Sequence, residues 1–434
     1  MRYLVAITIV LGLSAGLLLG GVLNESKPRE ASAARQLLLP QAGMRQTPGD
    51  TLGLVRRLQE TLRVNPKDAK TLTLLGQAYH QRYRESADPA YLTRAAGVYR
   101  KALALVAGTP EATSGLAGVA LSRHRFREAL ILARRAQRLA PDSASPYGAI
   151  GDSLVELGRY DEAFAAFDRM VALRPSLAAY ARVAYGRELL GRPTAAMEAM
   201  SLALEASGGQ PEPAAWTFVE LGKLHFNRGR LAEARTAFRS ALAVLPGYVY
   251  GLDWLARAEA ASARYDRATR LAERAIDAVP LPQFVATLAD IHRARGDEQG
   301  ARRQYALMGA IQRLLEANGV NADLELALFR VDHGIRLAET LKLARSARAV
   351  RPSIYGDDVL AWALTRSGRC AEALRFSKRS LRLGTKEASF YFHRGMIERC
   401  LGRKSDAAIW FARALETNPN FSLIWAGTAR RYAS

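Results

Sequence analysis

Trp216 to Pro246 reads WTFVELGKLHFNRGRLAEARTAFRSALAVLP. Its landmarks are the pair Leu221-Gly222, the turn Gly229-Arg230-Leu231, then Ala234, Phe238, Ala241 and the closing Pro246. The same landmarks recur along the chain. Ser145 to Pro175 carries Ile150-Gly151, Gly158-Arg159-Tyr160, Ala163, Phe167 and Pro175. Leu116-Ala117 and Leu255-Ala256 occupy the first position in two further segments, closed by Pro141 and Pro280. From Leu116 to Ile150, and from Leu221 to Leu255, the step is 34 residues. A fixed period of this length marks a solenoid, in which no single unit can bury its apolar face alone. Sustained period-two alternation is absent, and Val and Ile are sparse beside Ala and Leu, so the fold class is all-α.

On these residues the chain resembles the tetratricopeptide repeats. Each landmark has a physical reason. A small residue after the Leu lets the first helix of a unit approach the second closely, and the later alanines do the same from the other side. Leu, Phe or Tyr fills the gap, and Pro stops the second helix. The resemblance implies a right-handed α-α superhelical solenoid of about ten helix pairs, covering residues 50 to 434. Its expected parts are a capping helix over 50–68, repeats 1–7 over 69–320, repeats 8–10 over 321–420, and a C-terminal capping helix over 421–434. Repeat 1 carries an insertion around Glu85 to Ala90. After Ala301 the helical pattern runs on through Ile311, Leu314 and Leu315 to Asn318-Gly319, past its expected end. Two readings stand there: one elongated helix within a continuous superhelix, or a joint between blocks of seven and three repeats.

The N-terminus carries the second signal. Tyr3 to Leu23 has no charged side chain and is almost wholly apolar. At about 1.5 Å per residue it would span the roughly 30 Å hydrocarbon core. Its length favours an uncleaved anchor, since cleavable signals have apolar cores of about 7 to 15 residues. Ala31-Ser32-Ala33 keeps cleavage open as the other reading. Residues 24–49, with Pro28, Pro40 and Pro48, read as a tether. The chain is thus expected to be a single-pass membrane protein, with its solenoid outside the cytoplasm.

The net charge is +21, from 62 basic residues of which only nine are Lys. Arg is dense in second helices, which the resemblance places on the convex face. That charge suits either a solvated outer surface or an anionic membrane or acidic partner. No base-reading module is visible, so nucleic acid is not expected. A phosphate-cradling loop, a dinucleotide fingerprint and a nucleophile elbow are all missing from the sequence. No His pair has metal-ligand spacing on one helix. An enzyme is not expected, nor is a cofactor or a metal.

What remains is recognition. The resemblance implies that first helices line a concave groove holding a protein or peptide. The inward positions are Trp216, Lys223 and Phe226, then Tyr250, Asp253 and Arg257, then Arg293, Tyr355, Trp362 and Phe392. Aromatic and Arg side chains dominate binding energy at interfaces, and some of these rings are expected to pack between helices instead. The basic members suggest an acidic or carboxylate-ended ligand. The function expected is a membrane-tethered, non-enzymatic scaffold. A second reading is an exported assembly factor presenting substrate proteins in envelope or cytochrome c biogenesis. A third is a regulatory segment serving an enzyme in trans.

The two cysteines, Cys370 and Cys400, lie 30 residues apart, close to one period. Both fall at the same end of adjacent units. A bridge needs Cα atoms within about 7 Å, whereas adjacent repeats commonly lie nearer 10 Å, so bridged and unpaired states both remain open.

Overall fold

The computed structural model describes residues 50–433, all of it helix and connecting turn. The apolar stretch Tyr3 to Leu23 and the link to residue 49 lie outside the described residues. Among the described residues no helix is long and apolar enough to cross a membrane.

A capping helix, Thr51–Val64, opens the structure. Pair 1 is Ala69–Ser86 with Ala90–Leu105, pair 2 Pro110–Ser122 with Phe126–Leu139, and pair 3 Ala144–Glu156 with Tyr160–Leu173. Pair 4 is Leu177–Leu189 with Pro193–Glu205, pair 5 Pro211–Phe226 with Leu231–Val244, and pair 6 Val249–Ala261 with Tyr265–Ala278. Pair 7 is Pro282–Ala294 with Glu298–Ala317, and pair 8 Asp323–Asp332 with Leu337–Val350. Pair 9, Ile354–Arg366 with Cys370–Ser380, precedes pair 10, Ala388–Cys400 with Lys404–Thr417.

Local chemistry starts these helices. Asp68 accepts hydrogen bonds from the Lys70 and Thr71 amides, Ser176 from Ala179, and Ser353 from Gly356. These side chains satisfy amides that have no partner inside the helix. Pro110, Pro193, Pro211 and Pro282 occupy first-turn positions, where a missing amide costs nothing. Inside each pair the small-residue rule operates by contact. A Cβ added at Gly222 would strike the Phe238 ring, and one at Gly395 would strike Phe411. Both rings have no accessible surface.

The superhelix is tight enough for its second turn to rest on its first. The turn inside pair 2 meets the link after pair 7, where Asn321 N donates to Arg123 O at 3.0 Å and His124 Nδ1 donates to Asn321 O at 2.7 Å. The turn inside pair 3 meets the link after pair 8, where Ile354 N donates to the Tyr160 hydroxyl at 2.7 Å. Arg351 also grips Glu156 through two guanidinium nitrogens there. The turn inside pair 4 meets the link after pair 9 through Thr385 Oγ1 and Leu189 O. Gly229 of pair 5 lies against Pro419, after pair 10. The hydrogen-bonded partners are 197, 195, 194 and 196 residues apart, so one contact recurs at the repeat period.

This stacking explains two irregularities in the sequence. The long second helix of pair 7 ends at Asn318, and Thr93 of pair 1 meets Asn318 Oδ1 at 3.5 Å. Its residues Met308, Ile311 and Leu315 share an apolar cluster with Leu72 and Leu92 of pair 1. The elongation therefore carries the chain onto the next superhelical turn within one continuous superhelix. The insertion after Glu85 places Ala87, 1% exposed, within the apolar cluster of pairs 5 to 7. One expectation is corrected. The C-terminal helix is Ala426–Tyr432 and does not start at Phe421. Trp425 Nε1 donates to Asp332 Oδ1 at 3.0 Å, which holds the preceding turn across to pair 8.

Candidate functional site

Closing one turn on the next converts the concave groove into a walled chamber. A cavity of about 460 Å³ lies among first helices of pairs 5 to 10 and the C-terminal turn. Such a volume is in the range of ligand sites. Phe226, Trp254, Tyr355, Phe390, Phe421 and Leu423 supply its apolar lining. Leu423 packs on the cluster of pairs 5 to 7 while Phe421 and Trp425 pack on that of pairs 8 to 10, so the C-terminal turn bridges the two sides. A second cavity of about 260 Å³ is lined by Trp216, Tyr185, Lys223, Glu188 and the pair Arg182 and Asp152.

The chamber is acidic although the chain is basic. Asp290, Glu325, Asp332, Asp358 and Glu387 line it, against Arg257, Arg351 and His393. Both arginines are already engaged. Arg257 Nε donates to Asp253 at 2.9 Å, and Arg351 is held by Glu156 and Glu325. Burial pushes the Asp332 and Glu387 carboxyls up from their ordinary values. Burial would lower His393, but Asp358, Asp332 and Glu387 around it carry its pKa upward. Its Nδ1 donates to Asp358 Oδ2 at 2.9 Å, and its ring stacks on Trp362. In the smaller cavity, burial with Glu220 and Glu387 nearby raises Glu188 to about 7, against the opposing pull of Lys223. Among the described residues no group of three His, Cys, Asp or Glu side chains is placed to hold a metal ion.

Two family profiles described as tetratricopeptide repeat match the sequence, one over residues 149–211 and 359–420, the other over 214–245. Over these residues the chain is built of tetratricopeptide repeats. No curated protein matches it. Among solved structures it is similar to a human IFIT1 dimer with m7Gppp-AAAA, at 16% identity, TM-score 0.48 and 77% coverage of each chain. It is also similar to yeast Tom70, at 13% identity and TM-score 0.40, covering 88% of this chain and 92% of that one. PilW, described as a widely conserved type IV pilus biogenesis factor, gives 19% identity and TM-score 0.39, covering 48% of this chain and 98% of that one.

Within this tetratricopeptide-repeat superhelix the expected groove residues divide. Phe226, Arg257 and Tyr355 line the chamber, and Phe392, with no accessible surface, backs it. Trp216 and Lys223 line the smaller cavity. Four do not reach either, Asp253 among them, which accepts a hydrogen bond from Arg257 Nε. Trp362 is wholly buried, its Nε1 donating to Asp332 Oδ1 at 2.9 Å, so it is a core residue. Tyr250 makes edge contacts with Tyr248 and Phe284, and Arg293 donates to His333 Nδ1 at 3.1 Å. The basic residues expected to attract an acidic ligand are spoken for, since Lys223 Nζ sits 2.8 Å from Glu220 and Asp253 pairs with Arg257. Trp254, Asp332, Asp358, Glu387 and His393 line the chamber without being among the expected groove positions. A signal for Asp358 existed: it precedes Leu360-Ala361 by the same two residues that separate Asp253 from Leu255-Ala256.

Cys370 and Cys400 are joined as a disulfide, with Cα atoms 6.1 Å apart. Cys370 opens the second helix of pair 9 and Cys400 ends the first helix of pair 10, so the two helix ends face each other more closely than the general repeat spacing suggests.

Proposed function

We propose that this protein is a non-enzymatic scaffold that holds a polypeptide segment in the chamber of its superhelix, tethered to a membrane through Tyr3 to Leu23. One observation carries the reading: aromatic side chains from pairs 5, 6, 9 and 10 converge on a cavity that the stacked turns wall off. Repeat packing alone needs rings between helices, and Trp362 and Phe411 serve that purpose. Trp254, Tyr355 and Phe421 instead keep surface on the cavity. The bridged Cys370 and Cys400 support an extracytoplasmic solenoid, because disulfides persist in oxidising compartments. That placement agrees with an apolar N-terminal segment.

Crosslinking pull-down from membranes tests the holding role. Wild-type chain should capture a polypeptide that Tyr355→Ala and Phe226→Ala lose, with helical circular dichroism intact. Equal capture by both variants would move the site to the convex face. Fractionation tests the tether: full-length protein should stay in the pellet through carbonate washes, and deletion of residues 1–48 should release it. A mature N-terminus near Ala34 would instead show cleavage.

A further inference from the structure

The chamber has too little positive charge for its carboxylates. Asp332 Oδ1 accepts two indole N–H groups, from Trp362 at 2.9 Å and Trp425 at 3.0 Å. Glu387 accepts from the Ser389 amide and hydroxyl. These donors are neutral. Asp358 is 3% exposed and bonds His393 through Oδ2, while its Oδ1 has no hydrogen-bond partner among the described residues. Glu325 Oε2, also on the lining, accepts no hydrogen bond either. A buried carboxylate oxygen without a donor carries its full desolvation penalty until a donor arrives. On the lining itself Asp332, Asp358 and Glu387 have one imidazole between them, with His333 and Arg366 acting on Asp332 from behind it, and the two lining arginines are held by other acids.

We propose that this chamber is a subsite for the guanidinium or ammonium group of an Arg or Lys side chain on the held polypeptide. The proposal rests on the scaffold reading above and adds the chemistry of the ligand. Asp358 Oδ1 supplies the unpartnered acceptor, with Asp332 and Glu387 supplying charge. Tyr355 and Phe390, whose rings meet edge to face with centroids 5.4 Å apart, line the same cavity and suit a cation with an apolar stem. A metal ion is a poor alternative, since among the described residues no group of three His, Cys, Asp or Glu side chains is placed to hold one. An acidic ligand would add to the uncompensated charge.

The test uses full-length protein in detergent and fluorescein-labelled nonapeptides with a central Phe-Arg-Phe. Twins carry citrulline or Glu in place of Arg, and free agmatine is the fourth probe. Anisotropy reads the peptides, and intrinsic tryptophan fluorescence, to which Trp254 and Trp425 on the lining contribute, reads agmatine. The Arg peptide should bind at least tenfold more tightly than its citrulline twin, and the Glu twin more weakly still. Asp358→Asn and Glu387→Gln should each erase most of the Arg preference while leaving citrulline binding unchanged. Equal binding of Arg and citrulline peptides would overturn the cation subsite and leave the scaffold reading standing. Agmatine binding, lost in Asp358→Asn, without binding of any peptide would support the cation site and overturn the polypeptide as its source. Binding of none of the four probes would overturn the subsite, and the pull-down above would then decide the scaffold reading by itself.

Discussion

Gly191→Ala should uncouple the two superhelical turns, and Gly296→Ala should not. Both glycines sit in turns inside helix pairs at positive φ, 69° and 79°. Adding a Cβ in that conformation costs about 1–2 kcal/mol. The loss is offset by about 0.4–1 kcal/mol because the unfolded chain becomes stiffer. The shared conformational cost is therefore about 1 kcal/mol. The surroundings differ. At Gly296 nothing lies within 4 Å of the added atom, whereas at Gly191 it falls against the carbonyl oxygen of Gly384, on the next turn. Backbone cannot rotate aside, so the turns must part or strain, at about 1–3 kcal/mol for overpacking. Parting also breaks the buried bond from Thr385 Oγ1 to Leu189 O, worth about 1 kcal/mol net. Gly191→Ala should thus lose about 2–5 kcal/mol and Gly296→Ala about 1. Solenoids unfold in parts, so local hydrogen exchange is the sharper assay. Amides at 383–387 should exchange at least tenfold faster in Gly191→Ala only, and small-angle scattering should show a longer particle. Equal exchange in the two variants, with unchanged scattering, would refute the claim that the stacked turns hold the chamber closed.

Ala263, at φ 57° in the turn inside pair 6, occupies a position where other pairs carry glycine, so Ala263→Gly should stabilise by about 0.5–1 kcal/mol in urea denaturation. Reducing the bond between Cys370 and Cys400 should destabilise pairs 9 and 10 by about 3–4 kcal/mol on the loop-entropy estimate, seen as faster exchange there and unchanged exchange in pairs 1 to 4. Glu188 has its folded pKa raised to about 7 from 4.5, so its contribution is fully present below about pH 4.5 and is lost as pH rises through 7. Glu188→Gln should therefore flatten that decline, making the variant about 2–3 kcal/mol more stable than wild type at pH 8.5 and near-equal at pH 4.5, measured by denaturation at both.

The period, the helix pairs and their bounds were legible because they depend on neighbours in sequence. Gly222 and Phe238 meet within one pair, and Pro246 ends the helix it sits behind. Such contacts repeat every 34 residues, so even degenerate units such as pair 4 are found by phase. The candidate site was half legible. Asp253, Arg257 and Tyr355 follow from which positions of a first helix face inward. Whether an inward ring keeps surface does not, because it depends on which side chains arrive from the neighbouring pairs and the C-terminal turn. Trp362 and Tyr355 both stand on the first helix of pair 9, yet Trp362 is sealed by Asp332, His393 and Trp425, while Tyr355 borders the cavity.

By itself, then, the sequence determined an all-α repeat solenoid, the number of its units, and an apolar segment at its start. Tertiary structure alone decided the superhelical pitch, because that is the sum of small rotations at many interfaces, each too slight to mark a residue. The pitch brings residues about 195 positions apart into hydrogen-bonding distance. It thereby encloses the chamber, whereas Asp332, Asp358 and Glu387 meet around His393 because pairs 8, 9 and 10 stack in succession. The sign of charge in that chamber opposes the sign of the whole chain. No composition could reveal this, since an acid's effect depends on what shares its enclosure, and the arginines face elsewhere or are already paired.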